Sequence, residues 1–546
     1  MKSSNYKIIF SIFSLMIIMG FTSCVDDLNV QPIDPSVNQT FDQDMVFGKI
    51  YASLGLTGQQ GPAGSGDIAG IDEGFSDFFR LMWTLNEIST DEAICSWGDA
   101  DIPTTNFCTW SSAQGFVTGM YSRFYYNITL CNHFLTKTTG LTDEKTKYQR
   151  AEARFIRAMN YYFLIDMFGN VPFSEEVTDV PAKQIQRADL FTYVEKELSE
   201  CEADMYDAHK APYYRADKAA NWMIRSRLYL NAMVYINTPR WTDAATYAKK
   251  VMDAGYTLCP TFKQLFMADN AGALDGSAVN KAPQEIIFAI AADGVKTQNW
   301  GSSLFLIAST HSADMANWGS TANWSGNRAR AALVKKFFPT GTTFFTDPAD
   351  LTTAILSSLK DNRAMFNKSG RTLNITTVGK FKEGYSVTKF SNVRADGAPA
   401  HAPEKTDTDV PFLRAAEAYL TYAEAIYRAD SIGNKTEALA VINQLRARSN
   451  AQAIIASKFF LTTILDEKSR EFFFEGQRRT DLIRFGRFGG STTYNWDWKA
   501  GVAPDASGIQ PSDPTKYSAF TADYNIFPIP STDLNANPNL KQNPGY

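Results

Sequence analysis

Histidine is close to absent from this chain. Its four copies in 546 residues, His133, His209, His311 and His401, stand far apart with no HExxH pair, which excludes the usual helix-borne zinc site. Cysteine is scarce too: six copies and no CxxC. Five of them, Cys95, Cys108, Cys131, Cys201 and Cys259, are scattered and odd in number, which suits neither a zinc cage nor a disulfide framework. We read them as small buried apolar side chains, with a Cys95–Cys108 bridge left open. Positive charge is not in excess, since 53 Lys and Arg face 58 Asp and Glu for a net charge of −5, with both signs interspersed. No basic stripe exists to follow phosphates, so a nucleic-acid partner is excluded. Catalytic signatures are missing as well. Residues 64–69 spell GxGxxA without the strand before and helix after that a dinucleotide loop requires. Residues 357–360 fit SxxK without the other parts of a serine acylase.

What is present begins at the N-terminus. Lys2 and Lys7 precede the apolar run 8–19, and small residues then lead directly into Cys24. The run is too short to span a bilayer and reads as a secretory signal, with small residues before a cysteine in the manner of a bacterial lipobox. Cys24 is therefore the expected lipid anchor, and residues 31–39 a Pro-containing tether. No later run approaches spanning length.

The body is 44% hydrophobic and 20% charged, an ordinary globular balance. Helical periodicity recurs in pairs: 148–168 with 189–206, 218–236 with 241–254, and 412–428 with 436–448, while 114–135 belongs to a fourth. Ala and Tyr at i, i+3, i+4 and i+7 let such pairs stack, which predicts a mostly α, tetratricopeptide-like scaffold. Between the second and third pairs, 259–409 holds short β-prone runs such as 285–290 among Gly, Asn, Ser and Pro, and long loops on a helical scaffold usually carry its function. The tail, 524–546, has too many prolines for helix and should lie across the body.

Residues 470–484 are dense in Arg, Glu and Asp. On one helix, Glu475 with Arg479 and Asp481 with Arg484 would be structural ion pairs rather than a catalytic cluster. Aromatics make up 13% of the chain, including 24 Tyr and 10 Trp, and two of the indoles, Trp318 and Trp324, lie in the loop stretch NWGSTANWSGN (317–327). A pyranose packs its C–H face on an indole while Asp, Asn and Arg bind ring hydroxyls, so such a loop can hold sugar. A glycoside hydrolase, which needs two carboxylates and aromatic subsites, stays open, although no motif names the pair.

The lipobox, ARFIRAMNYYFLIDMFGNVPF (153–173), RADKAANW (215–222), PFLRAAEAYLTYAEA (411–425), REFFFEGQRRTDLIRFG (470–486) and the Pro-Ile-Pro tail, in this order over nearly the whole chain, together resemble the SusD/RagB lipoproteins. DEGFSDFFR (72–80), NEISTDEA (86–93), LFMADN (265–270), DGVKTQNWG (293–301), ARAALVKKFF (329–338) and WDWK (496–499) are most similar to the starch-binding founding member of that family. The resemblance implies a non-catalytic, surface-exposed lipoprotein of the outer membrane that captures starch, amylose or maltooligosaccharides for a SusC-type TonB-dependent transporter; the same family also offers other glycans as ligands. It implies an aromatic arc at Trp97, Trp300 and Trp324, with Asp72 and Arg80 as polar partners and Trp318 as a packing anchor. Trp300 stands where the relative has tyrosine, and the bonds of a missing asparagine pass to Asp99 or Asp101. No cofactor is implied apart from calcium, and residues 271–283 lack the acidic density to hold it. The expected organisation is a signal peptide at 1–23, a lipidated tether at 24–40, a helical scaffold with loop insertions at 41–258, a loop-rich glycan-binding region with short strands at 259–410, and C-terminal helix pairs with an extended tail at 411–546.

Overall fold

A computed structural model describes residues 41–99, 101–272, 279–315, 318–338, 360–499 and 521–546; Cys24 and the tether lie outside the described residues. The longer helices are α1 (Gln43–Gly55), α2 (Phe78–Glu87), α3 (Gly115–Lys137), α4 (Glu144–Met167), α5 (Arg187–Cys201), α6 (Lys218–Leu230), α7 (Trp241–Asp253), α8 (Ser302–Thr310), α9 (Ala415–Ala429), α10 (Lys435–Arg448), α11 (Leu461–Phe472) and α12 (Arg478–Arg484). Carboxylates start several of them: Asp143 accepts from Thr146 N at 3.0 Å, and Asp217 from Ala219 N and Ala220 N at 2.8 and 3.1 Å. Neighbouring helices pack in sequence, α3 on α4, α4 on α5, α6 on α7, α7 on α9 and α9 on α10. This is the expected helix-pair scaffold. Small side chains make the close approach possible: Ala416, Ala423 and Ala438 are buried with Leu420, Ile442 and Leu445 between α9 and α10. Among the described residues, no helix is long and apolar enough to cross a membrane.

Strands are few and short. β1 (Ala93–Cys95) pairs antiparallel with β3 (Asn327–Ala329), and β2 (Ile286–Ile290) with β4 (Val410–Arg414). The second pair corrects the sequence reading, because Phe412 and Leu413 belong to a buried strand and helix α9 begins only at Ala415. A short buried strand running straight into a helix has no periodicity of its own to mark the change. The helix expected over 218–236 breaks at Asn231, and that over 189–206 ends at Cys201 in a 3-10 turn. The tail does lie on the body, with Phe527 N donating to Met167 O at 2.6 Å and Asn543 Nδ2 to Phe168 O at 2.6 Å. It nevertheless contains a short helix, Ser531–Ala536, because Pro530 precedes its first turn, where a proline does no harm.

The acidic and basic residues of 470–484 are structural, as expected, but wired differently. Phe474 (φ 64°) and Gly476 (φ 78°) break the chain between α11 and α12, so Glu475 does not meet Arg479. Glu475 instead accepts from Lys389 at 2.6 Å and Arg414 at 2.8 Å, while Asp481 and Arg484 do pair. Arg414, 1% exposed, also reaches Glu285 at 2.9 Å and Glu471 at 2.7 Å. Glu471 further binds Arg448 and, at 3.0 Å, Arg363, which itself reaches Glu467 at 2.8 Å. This buried lattice joins β4, α10 and α11. All five described cysteines are buried and free, and burial pushes the thiols up to about 12 for Cys95, Cys108, Cys131 and Cys201 and to about 11 for Cys259.

Candidate functional site

Pairing of β1 with β3 sets Cys95 opposite Asn327, and the two chains stay together past the strand ends. Ser96 N donates to Gly326 O at 3.0 Å, and the Trp97 indole Nε1 to Trp324 O at 2.9 Å. Trp97 and Trp324 thereby come to 6.5 Å between ring centroids, tilted by 53°. Gly326 makes this possible, since a Cβ there would lie 2.3 Å from the Trp97 ring. The Trp324 loop is strapped to the C-terminal end of α8 by Trp324 N to Ala308 O (2.6 Å), Gly326 N to Ser309 O (2.7 Å) and Ser325 N to His311 O (2.9 Å). Carbonyls at a helix end lack the full set of intrahelical donors, and here the loop supplies them, Ala308 O taking His311 N as well at 3.4 Å.

Trp300 precedes α8 and is placed by a buried carboxylate. Asp77 accepts from Arg80 N at 2.7 Å as the cap of α2, and from Ser302 N at 2.9 Å and Ser302 Oγ at 3.0 Å at the start of α8. Burial raises the Asp77 carboxyl, and these bonds work against that rise. At Gly301 a Cβ would fall 2.2 Å from Asp77, so only glycine admits this junction. Arg80, in the first turn of α2, donates from Nη1 to Trp300 O at 2.9 Å and Gly74 O at 2.5 Å. Its guanidinium carbon lies 4.7 Å from the Phe305 ring and 5.8 Å from that of Trp324. Burial pulls Arg80 down to about 10, opposed by the charges of Asp77, Asp72 and Asp99, so it stays cationic at neutral pH.

Trp300 and Trp324 lie 6.3 Å apart at 54°, which completes a run of three indoles with Trp324 in the middle. Trp97 and Trp324 are half-buried and Trp300 is 36% exposed. Phe305 supports Trp97 from below at 6.4 Å and leans on the buried Trp83 at 5.3 Å, which ties the arc to the core. Asp72 and Asp99 are exposed beside it. Asp101 is occupied differently: its carboxylate accepts from Gly115 N at 2.9 Å at the start of α3, and burial raises it. Trp318 stands off the arc, edge-on to the buried His311 at 5.3 Å, whose imidazole burial lowers to about 4. Sequence reasoning missed Asp77, Phe305 and Lys405. An aspartate directly before the apolar run of α2 was a readable cap signal; Lys405, whose Nζ lies 3.1 Å from the Trp300 ring centroid, had none.

The segment that the resemblance links to calcium is described only in part. Residues 273–278 lie outside the described residues, and Asp269 already accepts from Asn280 Nδ2 at 2.9 Å and Ala395 N at 3.0 Å. Asp293, His401 and Asp407 bring ligand atoms within 4.8 Å of one another. Their carboxylates also accept from the main-chain N–H groups of Val295, Lys296, Gly294 and His401.

Comparison with known proteins agrees with this architecture. A family model described as "SusD family" matches residues 356–546, and one described as "Starch-binding associating with outer membrane" matches 79–230. The starch-binding protein SusD of Bacteroides thetaiotaomicron is 40% identical over the full length of both chains. A SusD-like protein of Bacteroides ovatus is 22% identical over 68% of this chain and 66% of its own. Among solved structures, surface glycan-binding protein A from Bacteroides fluxus superposes with a TM-score of 0.67 at 18% identity, over 92% of this chain and 99% of that one. With two family models matched and 40% identity held from end to end, the chain belongs to the SusD family.

Proposed function

We infer that this protein is a non-catalytic outer-membrane lipoprotein that captures an α-glucan, starch, amylose or a maltooligosaccharide, and passes it to a SusC-type TonB-dependent transporter. The observation that carries the reading is the arc itself: three indoles in series, each turned by 53–54° from the next. Successive faces that turn in this way follow a ligand that curves, as a helical α-1,4 chain does, and cannot all lie against a flat β-1,4 ribbon. Shape selects the polymer. Arg80 and Asp72 fix register through charge-assisted bonds to vicinal hydroxyls, with Asp99 beside Trp97 as a further acceptor. The starch-binding name of the full-length relative supports the choice of polymer. A hydrolase would need an acid and a nucleophile or base facing each other across the scissile bond. Asp72 and Asp99 instead act on the Arg80 guanidinium. Binding of this kind calls for no cofactor.

Retention on insoluble amylose but not on cellulose is the expected result, with maltooligosaccharides recovered at unchanged length. Retention on both polymers, or on neither, would remove the substrate, and shorter products above a heat-killed control would revive the hydrolase. Anchoring is tested separately. Cys24→Ala is expected to abolish labelling by a palmitate probe and to release the protein from the outer membrane, because firm attachment depends on acyl chains rather than on the body. A labelled, membrane-retained alanine variant would place the anchor elsewhere.

A further inference from the structure

Lys405 lies in the loop that leads into β4 and is 8% exposed. Its Nζ is buried and makes no hydrogen bond among the described residues, yet it sits 3.1 Å from the centroid of the Trp300 ring. An ammonium stripped of water without a hydrogen-bond acceptor is unfavourable, and the negative face of the indole, the group in direct contact with it, offsets this together with the charges of Glu73 and Glu404. Its other contacts include Nε1 to Pro62 O at 3.4 Å, its carbonyl to Arg80, and the tilted Trp324 ring 6.3 Å away. With a buried ammonium on one face and a third of its surface exposed, Trp300 shows solvent the opposite face. Resting on the binding role of the arc inferred above, we propose that Lys405 is a positioning residue of the glycan platform, clamping the inner face of Trp300 so that only its outer face is offered to sugar.

The charge matters as well as the packing. A protonated Nζ attracts the ring, whereas a neutral amine turns a lone pair towards it and lets the indole roll. The electronic effect of the ammonium on the outer face is small beside this, because the sugar lies a full ring thickness further away. Burial lowers Lys405 from the ordinary lysine value, with Glu73 and Glu404 opposing, so it loses its proton before exposed lysines do. Those two carboxylates act on it, while Arg80, held at about 10, is the other cation that touches Trp300, through the main-chain carbonyl.

The experiment uses the full soluble body and maltoheptaose. Lys405→Met, which keeps the stem and removes the charge, is expected to weaken binding about fivefold at pH 7, whereas Lys405→Arg, which restores a cation on the ring, should stay within about twofold of wild type. Trp300 emission, isolated as the difference between each protein and its Trp300→Phe counterpart, should shift in wild type as pH rises towards about 10.4 and shift less in Lys405→Met, where only the Arg80 contribution remains; wild-type affinity should fall over the same interval more than that of Lys405→Met. A Lys405→Met protein that binds as wild type, or an emission difference that does not titrate, overturns the clamp. Because Arg80, bonded to the Trp300 carbonyl and held at about 10, titrates in the same range, the comparison needs a protein without the lysine charge, and Lys405→Gln serves where the methionine variant does not fold. Trp300→Ala with wild-type affinity would overturn the platform instead, leaving the emission titration, which involves no glycan, to judge the clamp alone.

Discussion

Trp324→Ala should lower affinity for maltoheptaose or a cyclic maltooligosaccharide by roughly 30-fold, about 2 kcal/mol, in the range of aromatic anchors at interfaces. Trp324 is the middle indole, within 6.5 Å of Trp97 and 6.3 Å of Trp300, so on the proposed binding role its loss removes one stacking face and splits the remaining two. The fold should survive, because the bonds that hold this loop run through main-chain atoms that alanine keeps: Trp324 N to Ala308 O, and Trp97 Nε1 to Trp324 O. Trp318→Ala, off the arc and against His311, should change affinity far less. Calorimetry on both variants, with circular dichroism to confirm folding, checks the order. Wild-type affinity in a folded Trp324→Ala protein would make the indole a packing residue and move the glycan site elsewhere.

A second large effect is expected inside the scaffold. Glu471→Gln should destabilise the protein by about 3–5 kcal/mol, the usual result of removing one partner from a buried ion lattice, since Arg363, Arg414 and Arg448 would then lack their shared counter-charge. Burial works to raise the Glu471 carboxyl, but Arg448, Arg414 and Arg363 hold it well below the usual carboxylate range. Against the same burial, Arg363, Arg470 and Arg446 hold Glu467 down to about 2. A depressed folded value means stability that is fully present above about pH 4.3, the unfolded value of Glu, and lost as pH falls through the folded value. The urea midpoint of wild type should therefore drop between about pH 4.3 and pH 2, and that of Glu471→Gln should start lower and drop less. Equal midpoints at pH 7 would show that the lattice contributes nothing net.

Helix pairing was legible because each segment carries its own 3.6-residue stripe: Phe155, Met159, Tyr162 and Phe163 are all buried on α4, as their spacing requires. The arc was legible in part, since an indole among Gly, Ser and Asn asks for a partner wherever the chain runs. What could not be read was long-range. Trp97 donates to a residue 227 positions away, and no local pattern near either one specifies that bond. Lys405 looks like any loop lysine until the fold lays it on Trp300. Glu475 lost its expected helical partner because two residues of positive φ break the helix, and Phe474 is not a residue type that announces such a turn.

Asp77, which caps α2 at Arg80, also holds Ser302, 225 positions further along the chain, and that bond has a consequence in time. During synthesis α2 leaves the ribosome long before Ser302 exists, so the carboxylate that starts α2 waits for its second helix until more than half of the chain has emerged. Trp324, strapped to the far end of that same helix, follows later still. A truncated chain therefore carries Trp97 without its neighbours and has no curved surface to present. The three-indole surface is in this way reserved for finished molecules, and an incomplete chain has no platform for a ligand to occupy.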